Sequence, residues 1–114
     1  MRITNQTKGT ELASDARVAR SLWSRIVGLL GTPSLPAGGA LVIDPCSSVH
    51  TAFMRFAIDV VYLDPSRRVI KSVAHLKPFR MSAALRGRCS VVELPSGTIA
   101  ASKTAPGDQL AFEG

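Results

Sequence analysis

The chain has 114 residues, 46% hydrophobic and 19% charged, with a formal net charge of +6. That is one domain's length with enough apolar content to bury a core, which excludes a disordered chain and a two-domain organisation. No apolar run approaches the roughly 20 residues of a membrane-spanning helix, and Met1–Lys8 lacks the apolar centre of a signal peptide, so a cytoplasmic protein is expected.

From about Ala13 to Leu30 the spacing is helical: Val18, Leu22, Ile26 and Leu29 fall on one face, with Arg17, Arg20, Ser21 and Ser24 opposite. This predicts an amphipathic N-terminal helix, started by Ser14 or Asp15 and stopped by Gly31-Thr32-Pro33. Trp23 falls at the edge of its apolar face, and residues 33–39 read as a loop. After Gly39 the pattern changes to short strands cut by turn signals: Ala40 to Ile43, Phe56 to Leu63, Val69 to His75, Cys89 to Leu94 and Gln109 to Phe112. Asp64-Pro65-Ser66-Arg67 has proline preset for the second position of a type I turn, which predicts a hairpin between the second and third strands. The expected fold is mainly β (α+β by content), a small antiparallel β-sandwich or barrel carrying one N-terminal amphipathic helix.

The stretch from Cys46 to Asp64 places a thiol, an imidazole, a guanidinium and carboxylates within an otherwise apolar run. Polar groups there need partners or a pocket that uses them. Alternation along Phe56–Leu63 puts Asp59 on one face with Ala57, Val61 and Leu63, and Glu93 sits among Val91, Val92 and Leu94. Carboxylates in such company have raised pKa values or cationic partners, and His50 and Arg55 are the nearest candidates in sequence. Met54 beside Arg55 offers a flexible thioether and a planar cation suited to a planar or anionic ligand, against core packing and a salt bridge as the structural alternative. The candidate ligand-binding residues are therefore His50, Thr51, Met54, Arg55, Asp59 and Glu93.

Cys46 and His50 could form a nucleophile and its base, but no Gly-x-Ser-x-Gly elbow accompanies them. Cys46, His50, His75 and Cys89 are acceptable zinc ligands, yet the paired short spacing of zinc sites is absent, so no metal or cofactor is expected and the cysteines read as buried thiols. His75 reads as a capped strand end. Between Asp64 and Glu93 lie seven basic residues (Arg67, Arg68, Lys71, Lys77, Arg80, Arg86 and Arg88) and no acidic one. Phosphate binding by this run would want several stacking aromatics, and only Phe79 interleaves it, so nucleic-acid binding is expected to be weak or absent.

His50-Thr51, then Phe53 to Asp59 and on to Asp64, with Glu93-Leu94-Pro95-x-Gly97 and Pro106-Gly107-Asp108, resembles the bacterial and archaeal family catalogued as domain of unknown function 192. Arg25 to Gly31 is similar to that family's N-terminal helix ending, while Ala57 departs from the proline often found before its Ile-Asp. The resemblance spans most of the chain and implies a compact, mostly β fold of the jelly-roll or small-barrel kind with an N-terminal helix. It implies no established activity. The expectation is a ligand-binding or accessory module with a polar pocket around His50, Arg55 and Asp59, a monomer or weak dimer whose partner is a small molecule or a protein. The alternatives are a small hydrolase-like enzyme using the same cluster and a weak nucleic-acid binder through residues 67–88.

Overall fold

Alternating apolar residues and tight turns build most of the chain in the computed structural model, which describes residues 1–19, 37–44, 48–50, 56–77, 81–83 and 89–114. Among these there are ten strands: β1 (Arg2–Asn5), β2 (Thr10–Ala13), β3 (Asp15–Ala19), β4 (Gly39–Ile43), β5 (Ser48–His50), β6 (Ile58–Leu63), β7 (Val69–Leu76), β8 (Met81–Ala83), β9 (Ser90–Pro95) and β10 (Leu110–Glu113). One helix, α1 (Thr98–Ser102), follows β9.

The strands form a five-stranded sheet in the order β3-β4-β9-β6-β7, a three-stranded sheet β10-β1-β2, and a two-stranded ribbon β5-β8. Every pairing is antiparallel except β3 with β4. All six residues of β6 are buried. Such a strand, covered on both faces, reads as a continuous apolar run rather than an alternating one. Its alternate side chains enter two clusters. Val61 and Leu63 pack with Ile3, Leu12, Val42, Val92 and Leu110 towards the three-stranded sheet. Ile58, Val60 and Tyr62 pack with Val91, Cys89 and Leu76 on the other face.

Two corners tie the sheets together. At one, Met1 and Ala16 exchange main-chain hydrogen bonds of 3.0 and 2.7 Å. At the other, the start of β7 meets β10 through Leu110 N–H to Arg67 O and Val69 N–H to Asp108 O. The sheets nevertheless do not close into a barrel, since the five-stranded one ends in β3 and β7. The barrel alternative is corrected to a mainly β, two-sheet architecture with an added ribbon.

The β6–β7 hairpin forms as its turn residues require. Arg67 N–H donates to Asp64 O at 2.9 Å, and Asp64 Oδ1 accepts from the amides of Ser66 and Arg68, both at 2.9 Å. Arg67 takes a left-handed φ of 64°, where glycine would be at ease.

The N-terminal helix is a correction over its first turns. Asp15–Ala19 is a strand lying in register along β4, from Asp15 opposite Gly39 to Ala19 opposite Ile43. Val18, placed by the helical pattern in the core, is 57% exposed, and Ala16 is the buried residue instead. A five-residue stretch can satisfy either period, and pairing with β4 decided it. Residues 20–30 of the predicted helix, with Leu22, Trp23, Ile26 and Leu29, lie outside the described residues.

Candidate functional site

Asp59 follows the first residue of β6 and, by alternation, shares the face of Val61 and Leu63. Its side chain has no solvent exposure and accepts three main-chain hydrogen bonds. Oδ1 takes the His75 amide at 2.9 Å; Oδ2 takes those of Gly97 at 3.1 Å and Ile99 at 2.8 Å. Gly97 is the N-cap of α1, with φ 98°, and makes no side-chain cap of its own. The first amides of a helix lack partners within it, so a carboxylate from a neighbouring strand both satisfies them and meets the positive end of the peptide dipoles. His75 lies at a bulge, where the β6–β7 register shifts between Ile58 and Val60, and adopts φ 54°. Asp59 is thus a brace joining the β7 bulge to the start of α1, and all its partners among the described residues are main-chain amides.

Glu93 is equally buried but lies on the other side of the sheet. Its register partners are Val60 in β6 and Leu41 in β4, both packed in or against the second cluster, whereas Asp59 opposes Leu94 of the first. The two carboxylates therefore leave the sheet by opposite faces. His50 pairs with Met81 in the β5–β8 ribbon, which packs against β7, the strand that ends beside His75. Thr51, Met54 and Arg55 lie outside the described residues, as does Cys46.

Sequence reasoning missed two groupings. Ser96 Oγ is hydrogen-bonded to His75 Nδ1, and both residues are exposed on the surface that Asp59 braces. The second joins the chain ends. Asp108 accepts from Asn5 Nδ2 at 2.9 Å, Lys8 Nζ at 2.8 Å and the Ala105 amide at 3.0 Å, and Asn5 also donates to Thr104 Oγ1 at 3.2 Å. The Lys8 and Asn5 hydrogen bonds hold the Asp108 carboxyl below its ordinary value of 3.8, outweighing the opposing effect of burial. Pro106-Gly107-Asp108 marked a turn in the sequence, but nothing local linked it to Asn5 and Lys8 a hundred residues earlier.

Cys89 is a buried thiol at the start of β9. Among the described residues no three His, Cys, Asp or Glu side chains gather as a metal site, and no helix is long and apolar enough to cross a membrane.

Fold and site together define a small two-sheet β domain in which buried Asp59 organises main chain at one end of the central strand β6. The chain belongs to the family described as Uncharacterized ACR, DUF192, whose model matches residues 3–112. It is 34% identical over 111 residues to a UPF0127 protein of Pyrococcus furiosus, covering 93% of each chain. It is 28% identical over 115 residues to a UPF0127 protein of Thermococcus sibiricus, covering 97% of this chain and 74% of that one. These relatives are archaeal. A Novosphingobium aromaticivorans protein of unknown function has the same fold at a TM-score of 0.78 and 18% identity, over 97% of this chain and 82% of that one. A Sinorhizobium meliloti protein proposed as a transcription regulator superposes at a TM-score of 0.79 and 16% identity, over 96% and 89%.

Proposed function

We propose that the protein is a small binding or accessory module whose ligand site lies on the Glu93 face of the five-stranded sheet. His50, Thr51, Met54 and Arg55 form it with Glu93, and Asp59 braces the same end of β6 from the opposite face. The supporting observation is Phe56. This residue follows Arg55 directly and packs against the cluster of Ile58, Val60, Tyr62 and Val91, on the face that carries Glu93. Arg55 is thus one residue in sequence from a side chain seated on that face. A guanidinium beside a thioether suits a small planar anion. A thermal-shift screen of small aromatic and aliphatic carboxylates tests this. A ligand at about 100 times its Kd stabilises by about 2.7 kcal/mol, which should raise the wild-type midpoint and not that of Arg55→Ala. Equal shifts in both proteins, or none in either, would refute the site.

The enzyme reading has one observation in its favour, the hydrogen bond between Ser96 and His75. Against it, the Gly97 amide beside Ser96, the natural donor to an oxyanion, points to Asp59 instead. The imidazole also has Nδ1 on the serine, and among the described residues no carboxylate orients the ring as in a triad. The nucleic-acid reading is weakened by the basic side chains already engaged. Lys71 lies 5.8 Å from the centre of the Tyr62 ring, and Arg68 donates to Gly107 O at 2.7 Å.

A further inference from the structure

At the end of β6 away from Asp59, five residues on and so about 17 Å along the strand, the sheet opens into a cleft of about 370 Å³ lined by Asp44, Asp64, Pro65, Ser66, Arg67, Cys89 and Ser90. The topology explains the gathering. Ile43 pairs with Val91 and Leu63 with Ser90, so Asp44 and Asp64 each continue a strand one residue past the pairing that flanks the start of β9.

Asp64 and Arg67 meet here without forming an ion pair with each other. The ion pairs among the described residues join Arg2 to Glu11 and Glu113, Lys8 to Asp108, and Arg17 to Asp15; Asp64 and Arg67 belong to none of them. Each is nonetheless fixed. Asp64 is oriented by the two turn amides on Oδ1, and Oδ2 makes no hydrogen bond among the described residues. Arg67 is held by its left-handed backbone and by the Phe112 ring beneath its guanidinium. A preorganised anion and cation three residues apart, at the mouth of a cleft carrying the Ser66 and Ser90 hydroxyls, make a receptor for a ligand with both charges.

The geometry points to a second binding site, for a small zwitterion of the free α-amino acid class. The ligand's ammonium group faces Asp64 Oδ2, and its carboxylate faces the Arg67 guanidinium. The cleft's volume, at the lower end for ligand sites, suits a molecule of that size. This site is separate from the one on the Glu93 face.

The test is a titration of the ¹⁵N-labelled full chain, followed by amide shifts, with the common L-amino acids in turn and with ethylamine and propionate as single-charge controls. At least one amino acid should shift the amides of Ser66, Arg67 and Ser90 and saturate, with either control at least tenfold weaker. Asp64→Asn keeps an oxygen for the turn amides, and Arg67→Gly relieves the positive φ, so both variants should fold; each should weaken binding at least tenfold. No saturable shift at about 10 mM with any amino acid, equal binding of a single-charge control, or unchanged binding by Arg67→Gly would overturn the assignment.

Discussion

Replacing Asp59 by alanine removes one acceptor group from three main-chain amides at once. Hydrogen bonds to a charged group contribute about 1.5–3 kcal/mol each, and a buried amide left without a partner costs about 1–3 kcal/mol. The three amides are only partly buried, so water can reach some of them after the change and each loss falls at the low end. A total of about 4 kcal/mol is expected, within the range for breaking a buried charged contact. For a domain of this size that lowers the thermal midpoint by about 16 °C, taking about 4 °C per kcal/mol. Asp59→Asn keeps one acceptor oxygen and loses the charge, and should fall between alanine and wild type. Urea unfolding followed by circular dichroism measures both variants. A loss under about 1 kcal/mol for Asp59→Ala would refute the bracing role, as would equal losses for the two substitutions.

Because Lys8 and Asn5 lower the Asp108 pKa in the folded state, the unfolded chain binds the proton more readily. The stability Asp108 contributes is complete above its ordinary value of 3.8 and disappears as the pH falls through the lowered one. Lys8→Met should therefore be less stable than wild type at pH 7, and the gap should narrow in urea titrations carried below pH 4; a constant gap would refute the linkage. Gly38 has φ 79°, and a Cβ there would lie 2.6 Å from Ser14 Oγ. Gly38→Ala should cost about 1–2 kcal/mol. Adding Ser14→Ala should leave most of that cost in place, because the serine oxygen can rotate away whereas the backbone strain cannot; full rescue would make the clash the cause. Cys89, 2% exposed at the start of β9, should resist a thiol reagent in the native protein and react on unfolding, and rapid native labelling would contradict its burial.

Features set by neighbours in sequence were legible from the chain alone. Alternation in Ile58–Leu63 determined which face each side chain takes, including the burial of Asp59, and Asp64-Pro65 determined the hairpin turn that joins β6 to β7. The strands from β4, β6, β7, β9 and β10 fall within one or two residues of their predicted bounds. The short strands β1 and β2 went unread because four residues carry too little pattern, and the pairing of β1 with β10 joins the two ends of the chain. Asp15–Ala19 carries a helical period and is a strand because β4 supplies partners for its amides, a contact no local pattern reports. The site divides in the same way. Sequence placed Asp59 and Glu93 in apolar company, but only the sheet register turned them to opposite faces. Only the arrival of His75, Gly97 and Ile99 made Asp59 a brace, since those amides come from residues 16 to 40 positions away, and a carboxylate's role is set by the donors the fold brings to it.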